Sequence, residues 1–258
     1  MQTFKSFSNF PNVKMSEPQI SGPETWASFL IPVIEGKIYL GQRATEPQKG
    51  LYGAIGGHLE PASVVQGEPH RIEKPGGSMQ PSVIERIAKA RGLEYLRSAG
   101  VRECLEELFH GEEPDMACAS DIVEVRGVDD YPKGKKYFNY FFLGTINRPV
   151  SEIRPAPEEL TDVRPLTDVP VDQIYPIAQA ALEETRMILT HKLAPHEERL
   201  QSYLRMNIAA QIPRFDLEEM RRFLSERGFS FLNLGLLVSL GHFSPYGFKL
   251  YTEPEAKL

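Results

Sequence analysis

Arg102-Glu103-Cys104-Leu105-Glu106-Glu107 sets three carboxylates within five residues. On a helix, Glu103, Glu106 and Glu107 fall at i, i+3 and i+4 and share one face. The surrounding pattern is helical: Leu93, Leu96, Val101, Cys104, Leu105 and Leu108 recur mostly three or four apart, which predicts a helix over Leu93 to Phe109. Like charges at that spacing repel by roughly a few tenths of a kcal/mol per pair. Two arrangements relieve the repulsion. The face can be solvated, with Arg102 as a local partner, or a divalent cation can neutralise it. Oxygen ligands suit Mg²⁺, Mn²⁺ or Ca²⁺, and Mg²⁺ typically keeps water and also binds substrate phosphates.

Upstream of this helix, Trp26 to Ile34 is apolar and partly β-branched. Glu35-Gly36-Lys37 follows as a turn and Ile38-Tyr39-Leu40 as a second strand, a β-hairpin pattern. A polar loop from Arg43 to Gly50 leads into a short strand, Leu51 to Ile55, that ends at Gly56-Gly57. Pro61 to about Gly92 is rich in Pro, Gly, Ser and charge, with a short helix at Val83 to Ala90, and has the composition of an insertion. Downstream, Ile122 to Val125 and Tyr137 to Ile146 are expected strands. A helix enters at Val169-Pro170 and runs to Leu189, and another runs from the N-cap Asp216 to Arg227, stopped by Gly228. Strands, helix, strands, helix and a mostly helical tail predict a mixed α/β layered structure.

The net charge of −6 disfavours a general nucleic-acid binder but not a small anionic substrate, because a bound cation reverses the local field. Cys104 and Cys118 form no CxxC, which disfavours a disulfide framework or thiolate zinc site and fits a reducing cytoplasm. No apolar run is long enough for a transmembrane helix. Met1 to Gln19 lacks the basic start and apolar core of a secretory signal and is expected to be a loosely ordered arm.

The helix segment and its flanks resemble the box of the Nudix hydrolases, G-x5-E-x7-R-E-U-x-E-E-x-G-U with U aliphatic. Gly57, preceded by Gly56, matches the opening glycine, and Arg102, Glu103, Glu106 and Glu107 match the second half. Counting back from Arg102 places the first glutamate of the box at Glu94, so the box is split by roughly thirty residues after Glu60. Glu68 is the alternative, with the insertion following it. The chain departs from the pattern at Phe109 and His110, where the box has a glycine and an aliphatic residue, and at Ile55, where a proline is usual.

The resemblance implies an α/β/α sandwich with a mixed sheet over residues 23–190, interrupted at about 61–92. It leaves a flexible arm at 1–22 and an extra, mainly helical region at 191–258. It implies a Mg²⁺-dependent pyrophosphohydrolase, with Mn²⁺ as the substitute ion, acting on a nucleoside diphosphate linked to another moiety. The Lys49 to Tyr52 text tilts the substrate toward a nucleotide sugar or ADP-ribose. Glu103, Glu106 and Glu107 would hold the metal with a backbone carbonyl at Gly56 and with Glu158; Glu159 is a weaker candidate. Arg102 and Glu94 would orient the helix by pairing. Arg43, Gly57 and His58 would face the substrate, although Arg43 can equally be a surface residue at a strand end. The competing class is a sensor that binds such a ligand without turnover. The insertion would shape substrate choice. The apolar Phe229 to Leu240 stretch would pack on the core or make a homodimer contact.

Lys133, Lys135 and Lys136 have the composition of a solvated loop, and His191 and His196 are too far apart for paired ligands. The run of Tyr137, Phe138, Tyr140, Phe141 and Phe142 fits sheet core better than a base-stacking platform.

Overall fold

The computed structural model describes residues 24–46, 48–64, 88–110, 125–129, 136–146, 148–190, 199–216, 218 and 222. Strand β1 (Glu24–Ile34) is apolar on both sides, as a strand buried on two faces must be. Trp26, Leu30 and Ile34 enter one hydrophobic cluster, and Ile31 and Val33 enter another. A two-residue turn at Glu35-Gly36, with φ of 48° and 74°, returns the chain as β2 (Lys37–Arg43), Ile34 opposite Lys37. Positive φ at both turn positions matches the twist of the paired strands.

Strands β3 (Tyr52–Gly53) and β4 (Ile55–His58) pair antiparallel with β2 and β1 respectively. Strand β5 (Val125–Asp129) runs antiparallel to β6 (Lys136–Ile146), which lies parallel to β1 from Glu24–Lys136 to Ile34–Ile146. Strand β7 (Leu160–Pro165) closes against β2. Among the described residues the result is a seven-stranded mixed sheet with mainly antiparallel pairs.

Helix α1 (Leu96–Phe109) covers the face carrying Trp26, Leu30, Tyr140 and Phe142. It lies close because Gly100 has no side chain: a Cβ there would stand 2.9 Å from both Phe142 Cζ and Ser28 Oγ. Helices α2 (Pro176–Thr190) and α3 (Arg199–Gln211) cover the opposite face, over Ile31, Val33, Phe141 and Leu143. The expected mixed α/β layering is therefore present, and among the described residues no helix is long and apolar enough to cross a membrane.

Several boundaries differ from the sequence pattern for identifiable reasons. Helix α1 begins at Leu96, not Leu93, because Leu93 pairs with Pro61 and Glu94 with Glu60 in extended backbone. The expected strand Leu51 to Ile55 is two strands, since the chain passes at Ala54 from pairing with β2 to pairing with β1. The helix expected from Val169 starts only at Pro176; 3₁₀ turns precede it, and the Tyr175 N–H donates to the Tyr52 carbonyl at 2.8 Å, tying that segment to β3. Strand β5 is described over Val125–Asp129, and residues 122–124 of the expected Ile122 to Val125 strand lie outside the described residues.

The arm at 1–22, Glu68, Cys118, Lys133, Lys135, His191, His196 and the stretch 229–240 lie outside the described residues. So does most of the Asp216 to Arg227 helix, although the Glu218 N–H donates to Asp216 Oδ1 at 3.0 Å, the bond expected of an N-cap. Tyr140, Phe141 and Phe142 are buried in the sheet core.

The missing glycine after the glutamate pair has a local explanation. Phe109 continues the helix and is buried, and His110 takes the left-handed cap position at φ 54°, its N–H donating to the Leu105 carbonyl. A non-glycine residue there costs about 1 kcal/mol. His110→Gly is expected to stabilise the fold by up to about that amount in urea unfolding; a loss of stability would show that the imidazole makes a compensating contact.

Candidate active site

The two halves of the split box meet in space. Glu60 and Glu94 are joined twice: the Glu94 N–H donates to the Glu60 carbonyl at 3.0 Å, and the Glu60 N–H donates to Glu94 Oε1 at 2.9 Å. Ala62 N–H also donates to the Gly92 carbonyl at 2.8 Å, so the chain leaves for the insertion and returns at one point. Glu94 then grips Arg102, with Nη2 to Oε1 at 2.8 Å and Nε to Oε2 at 3.4 Å. The pair expected from the eight-residue spacing is present, with Glu94 just ahead of the helix and not on it.

Arg102 is the electrostatic hub of α1. Its Nη1 also reaches Glu103 Oε1 at 2.9 Å and Glu106 Oε2 at 3.1 Å. Glu106 is exposed at the helix surface, whereas Glu107 is buried. Among the described residues no three His, Cys, Asp or Glu side chains are gathered where one ion would sit, and Arg102 pairs with both Glu103 and Glu106.

The double glycine of β4 gives these carboxylates their room. Gly56 has φ 152°, and a Cβ there would collide with the Ser28 carbonyl and lie 2.7 Å from Phe29 Cα. A Cβ on Gly57 would lie 2.7 Å from Glu103 Cδ, so the Glu103 carboxylate occupies space that only glycine leaves open. Glu107 accepts a hydrogen bond from the Gly56 N–H.

Burial pushes the Glu107 carboxyl up to about 8; Glu103 and Glu159 push the same way, against the pull of Arg43 and the Gly56 N–H. Burial likewise raises Glu103, with Arg102 opposing and Glu106 adding. Two carboxylates held back from ionising beside one another mark a place where a cation would be favourable.

Loop residues complete the site. The Ala156 and Arg154 N–H groups cap the last carbonyls of α1, Glu107 at 2.8 Å and Leu108 at 2.7 Å. This fixes the loop carrying Glu158 and Glu159 beside the helix end. The Glu159 carbonyl accepts from the Ala44 N–H at 2.8 Å, which brings Arg43 to the same place. Arg43 Nε is buried with no hydrogen-bond partner among the described residues.

All these groups open on one cavity of about 810 Å³, a volume suited to a small molecule. Glu46, Glu60, Glu103, Glu106, Glu107, Glu158 and Glu159 line it, with Gly56, Gly57 and His58. Arg43 is the one arginine or lysine lining it among the described residues. Glu94 and Arg102 stand behind the wall and hold α1. The far wall is different in character: Phe29, Asn139, Phe141, Tyr175 and Ile177. The sequence pattern did not single out Glu46, Asn139, Phe29 or Tyr175. For Phe29 and Asn139 the only signal was alternation along β1 and β6, which becomes informative once the parallel pairing is known; Glu46 and Tyr175 lie in connections and carried none.

The donor set fits a hard divalent cation. It is all oxygen, and burial raises two of its carboxylates, Glu103 and Glu107.

No protein-family model matches the chain, and no curated protein does. Solved structures do. A MutT Nudix hydrolase from Burkholderia pseudomallei is 21% identical, matching 62% of this chain and 97% of its own, with a TM-score of 0.39. The Nudix domain of Shewanella oneidensis NrtR, solved with ADP ribose, is 15% identical over 68% of this chain and 95% of its own, with a TM-score of 0.40. A bifunctional NMN adenylyltransferase/ADP ribose pyrophosphatase from Francisella tularensis, solved with AMP and a manganese ion, is 20% identical over 55% of this chain and 34% of its own, with a TM-score of 0.33. The solved structures to which this chain is similar are thus Nudix hydrolases and Nudix domains, all at low identity.

Proposed function

We propose that the protein is a Mg²⁺-dependent pyrophosphohydrolase of the Nudix type, with Mn²⁺ as a substitute ion. Its substrate is a nucleoside diphosphate linked to another moiety, a nucleotide sugar or ADP-ribose before others. The catalytic unit is residues 23–190, an α/β/α sandwich interrupted at 61–92, with 191–258 as an extension.

One observation carries this reading: among the described residues seven glutamates and a single arginine line a cavity of small-molecule size, with Glu107 buried against the double glycine. Such a cavity repels phosphate unless cations enter with it. Glu103, Glu107 and Glu158 would hold the ion, with Glu106 joining when Arg102 releases it and the Gly56 carbonyl as a backbone ligand. When bound, the ion polarises phosphoryl oxygens and lowers the pKa of a water for in-line attack.

The protein's own groups supply position. The Gly56 N–H and the capped end of α1 fix Glu107. Glu94 and Arg102 hold the pitch of the helix. Arg43, with its free Nε, donates to a phosphate oxygen where charge accumulates in the transition state. His58 stands at the rim.

The test is nucleotide or phosphate release with Mg²⁺ across ADP-ribose, nucleotide sugars, dinucleoside polyphosphates and oxidised dGTP, run beside Glu107→Gln. Turnover of at least one substrate, abolished in the variant, is expected. Binding without turnover would move the protein to the sensor class.

A further inference from the structure

Arg43 ends β2, where the strand gives way to a loop, and three backbone bonds fix that place. The Arg43 N–H donates to the Leu51 carbonyl at 3.0 Å, the Gly50 N–H to the Arg43 carbonyl at 2.9 Å, and the Ala44 N–H to the Glu159 carbonyl at 2.8 Å. Arg43 is therefore held from two sides. On one side is the return of its own loop, at Gly50 and Leu51; on the other is the entry to β7, at Glu159. Both flanks belong to the cavity: Glu46 and Gln48 line it from the first loop, Glu158 and Glu159 from the second.

The preceding side chain joins the two flanks. Gln42 Nε2 donates to the Gly50 carbonyl at 2.9 Å, and Thr161 Oγ1 donates to Gln42 Oε1 at 2.8 Å. One amide thus spends its donor end on the loop and its acceptor end on β7. Thr161 is placed for this because it is the extra residue of a β-bulge: Gln42 stands opposite Asp162, and Arg43 opposite Leu160. Bulges bend a strand and re-aim the side chains beside them. Gln42 and Thr161 are not among the residues lining the cavity. Two hydrogen bonds on the solvent side contribute little to the fold, since water competes for both partners. Their consequence is geometric: the two loops move as one, and a displaced catalytic donor is costly to a reaction even when the displacement is small.

We infer that Gln42 is a positioning residue which, by bridging Gly50 and the bulge residue Thr161, seats Arg43 against the diphosphate of the substrate. The inference rests on the reading of the cavity as a pyrophosphate site, in which Arg43 donates to a phosphate oxygen. Gln42 itself touches no substrate. It acts on the backbone that carries Arg43, and the bulge supplies the hydroxyl that it needs.

Gln42→Met, which keeps the length of the side chain and removes both bonds, tests this on the full chain. The first measurement is amide hydrogen exchange by NMR without ligand. Exchange at Arg43, Ala44 and Gly50 is expected to quicken by about fivefold or more, with the amides of β1 and β6 unchanged. Thr161→Val should act in the same direction and Thr161→Ser should restore the wild-type rates. Unchanged exchange, or a uniform rise across the sheet, overturns the inference. The second measurement is the Kd of methylenediphosphonate with Mg²⁺. Gln42→Met is expected to lose about fivefold and Arg43→Ala about tenfold or more, and the double variant should bind as Arg43→Ala alone does. Additive losses, or an unchanged Kd in Gln42→Met, overturn the positioning role. Should Gln42→Met fail to fold, Gln42→Glu, which sets an oxygen against the Gly50 carbonyl, is judged by the same outcomes. A wild type that does not bind the probe overturns the pyrophosphate reading, and exchange alone then decides whether Gln42 seats Arg43.

Discussion

Glu107→Gln is expected to raise the melting temperature of the metal-free protein while lowering turnover by roughly 10³-fold or more. The two effects share a cause. Burial, reinforced by Glu103 and Glu159, holds the Glu107 carboxyl at about 8, against 4.5 for a free glutamate. A folded-state value above the unfolded one means that the folded protein binds the extra proton between those limits. Stability is therefore complete below about 4.5, falls as pH rises toward 8, and is lowest above it. The full shift corresponds to at most about 5 kcal/mol, and relaxation around an ionised group leaves an expected 1–3 kcal/mol. Glutamine keeps an acceptor for the Gly56 N–H and never ionises, so the variant should lose this pH slope. Mg²⁺ should restore wild-type stability at pH 8, by about 2.7 kcal/mol at a hundredfold excess over its Kd, and should do little for the variant. Thermal unfolding from pH 5 to pH 8.5, with and without Mg²⁺, measures all of this. Parallel slopes for the two proteins would show that Glu107 does not titrate in this range.

The carboxylate helix was legible because its signal is local. Apolar residues three and four apart define α1, and the spacing from Glu94 to Arg102 survives the insertion intact. The closure of the insertion is local as well, once Glu60 and Glu94 are recognised as neighbours. The aromatic wall belongs to another category. It depends on β1 lying parallel to β6, a pairing across more than a hundred residues that no turn signal announces. Read alone, β6 is an apolar run, and nothing distinguishes Asn139 from any polar residue interrupting a strand. The delayed start of α2 is of the same kind, since the bond from Tyr175 to Tyr52 is a tertiary one that overrides helical periodicity. Local chemistry was thus visible at the acidic end of the cavity, and the other end required the sheet to be assembled.

Arg102→Met should be the most damaging single change to stability in the site. Its guanidinium is two-pronged on Glu94 and reaches Glu103 and Glu106 besides. The Glu94 side chain is only 4% exposed. Without the arginine it keeps, among the described residues, only the Glu60 N–H, and a buried charge so stranded costs about 3–5 kcal/mol. The loss should fall in the double variant Glu94→Gln, Arg102→Met, because the stranded charge is gone; a coupling of 1 kcal/mol or more is expected from the cycle, about the scale seen for contacting groups. The hub also competes with any cation for Glu103. The single variant, though less stable, should therefore bind Mg²⁺ more tightly than the wild type when measured by titration calorimetry below its unfolding temperature. A cost under 1 kcal/mol with additive single variants would mean that water already serves Glu94, and that the split box is held together by its backbone bonds alone.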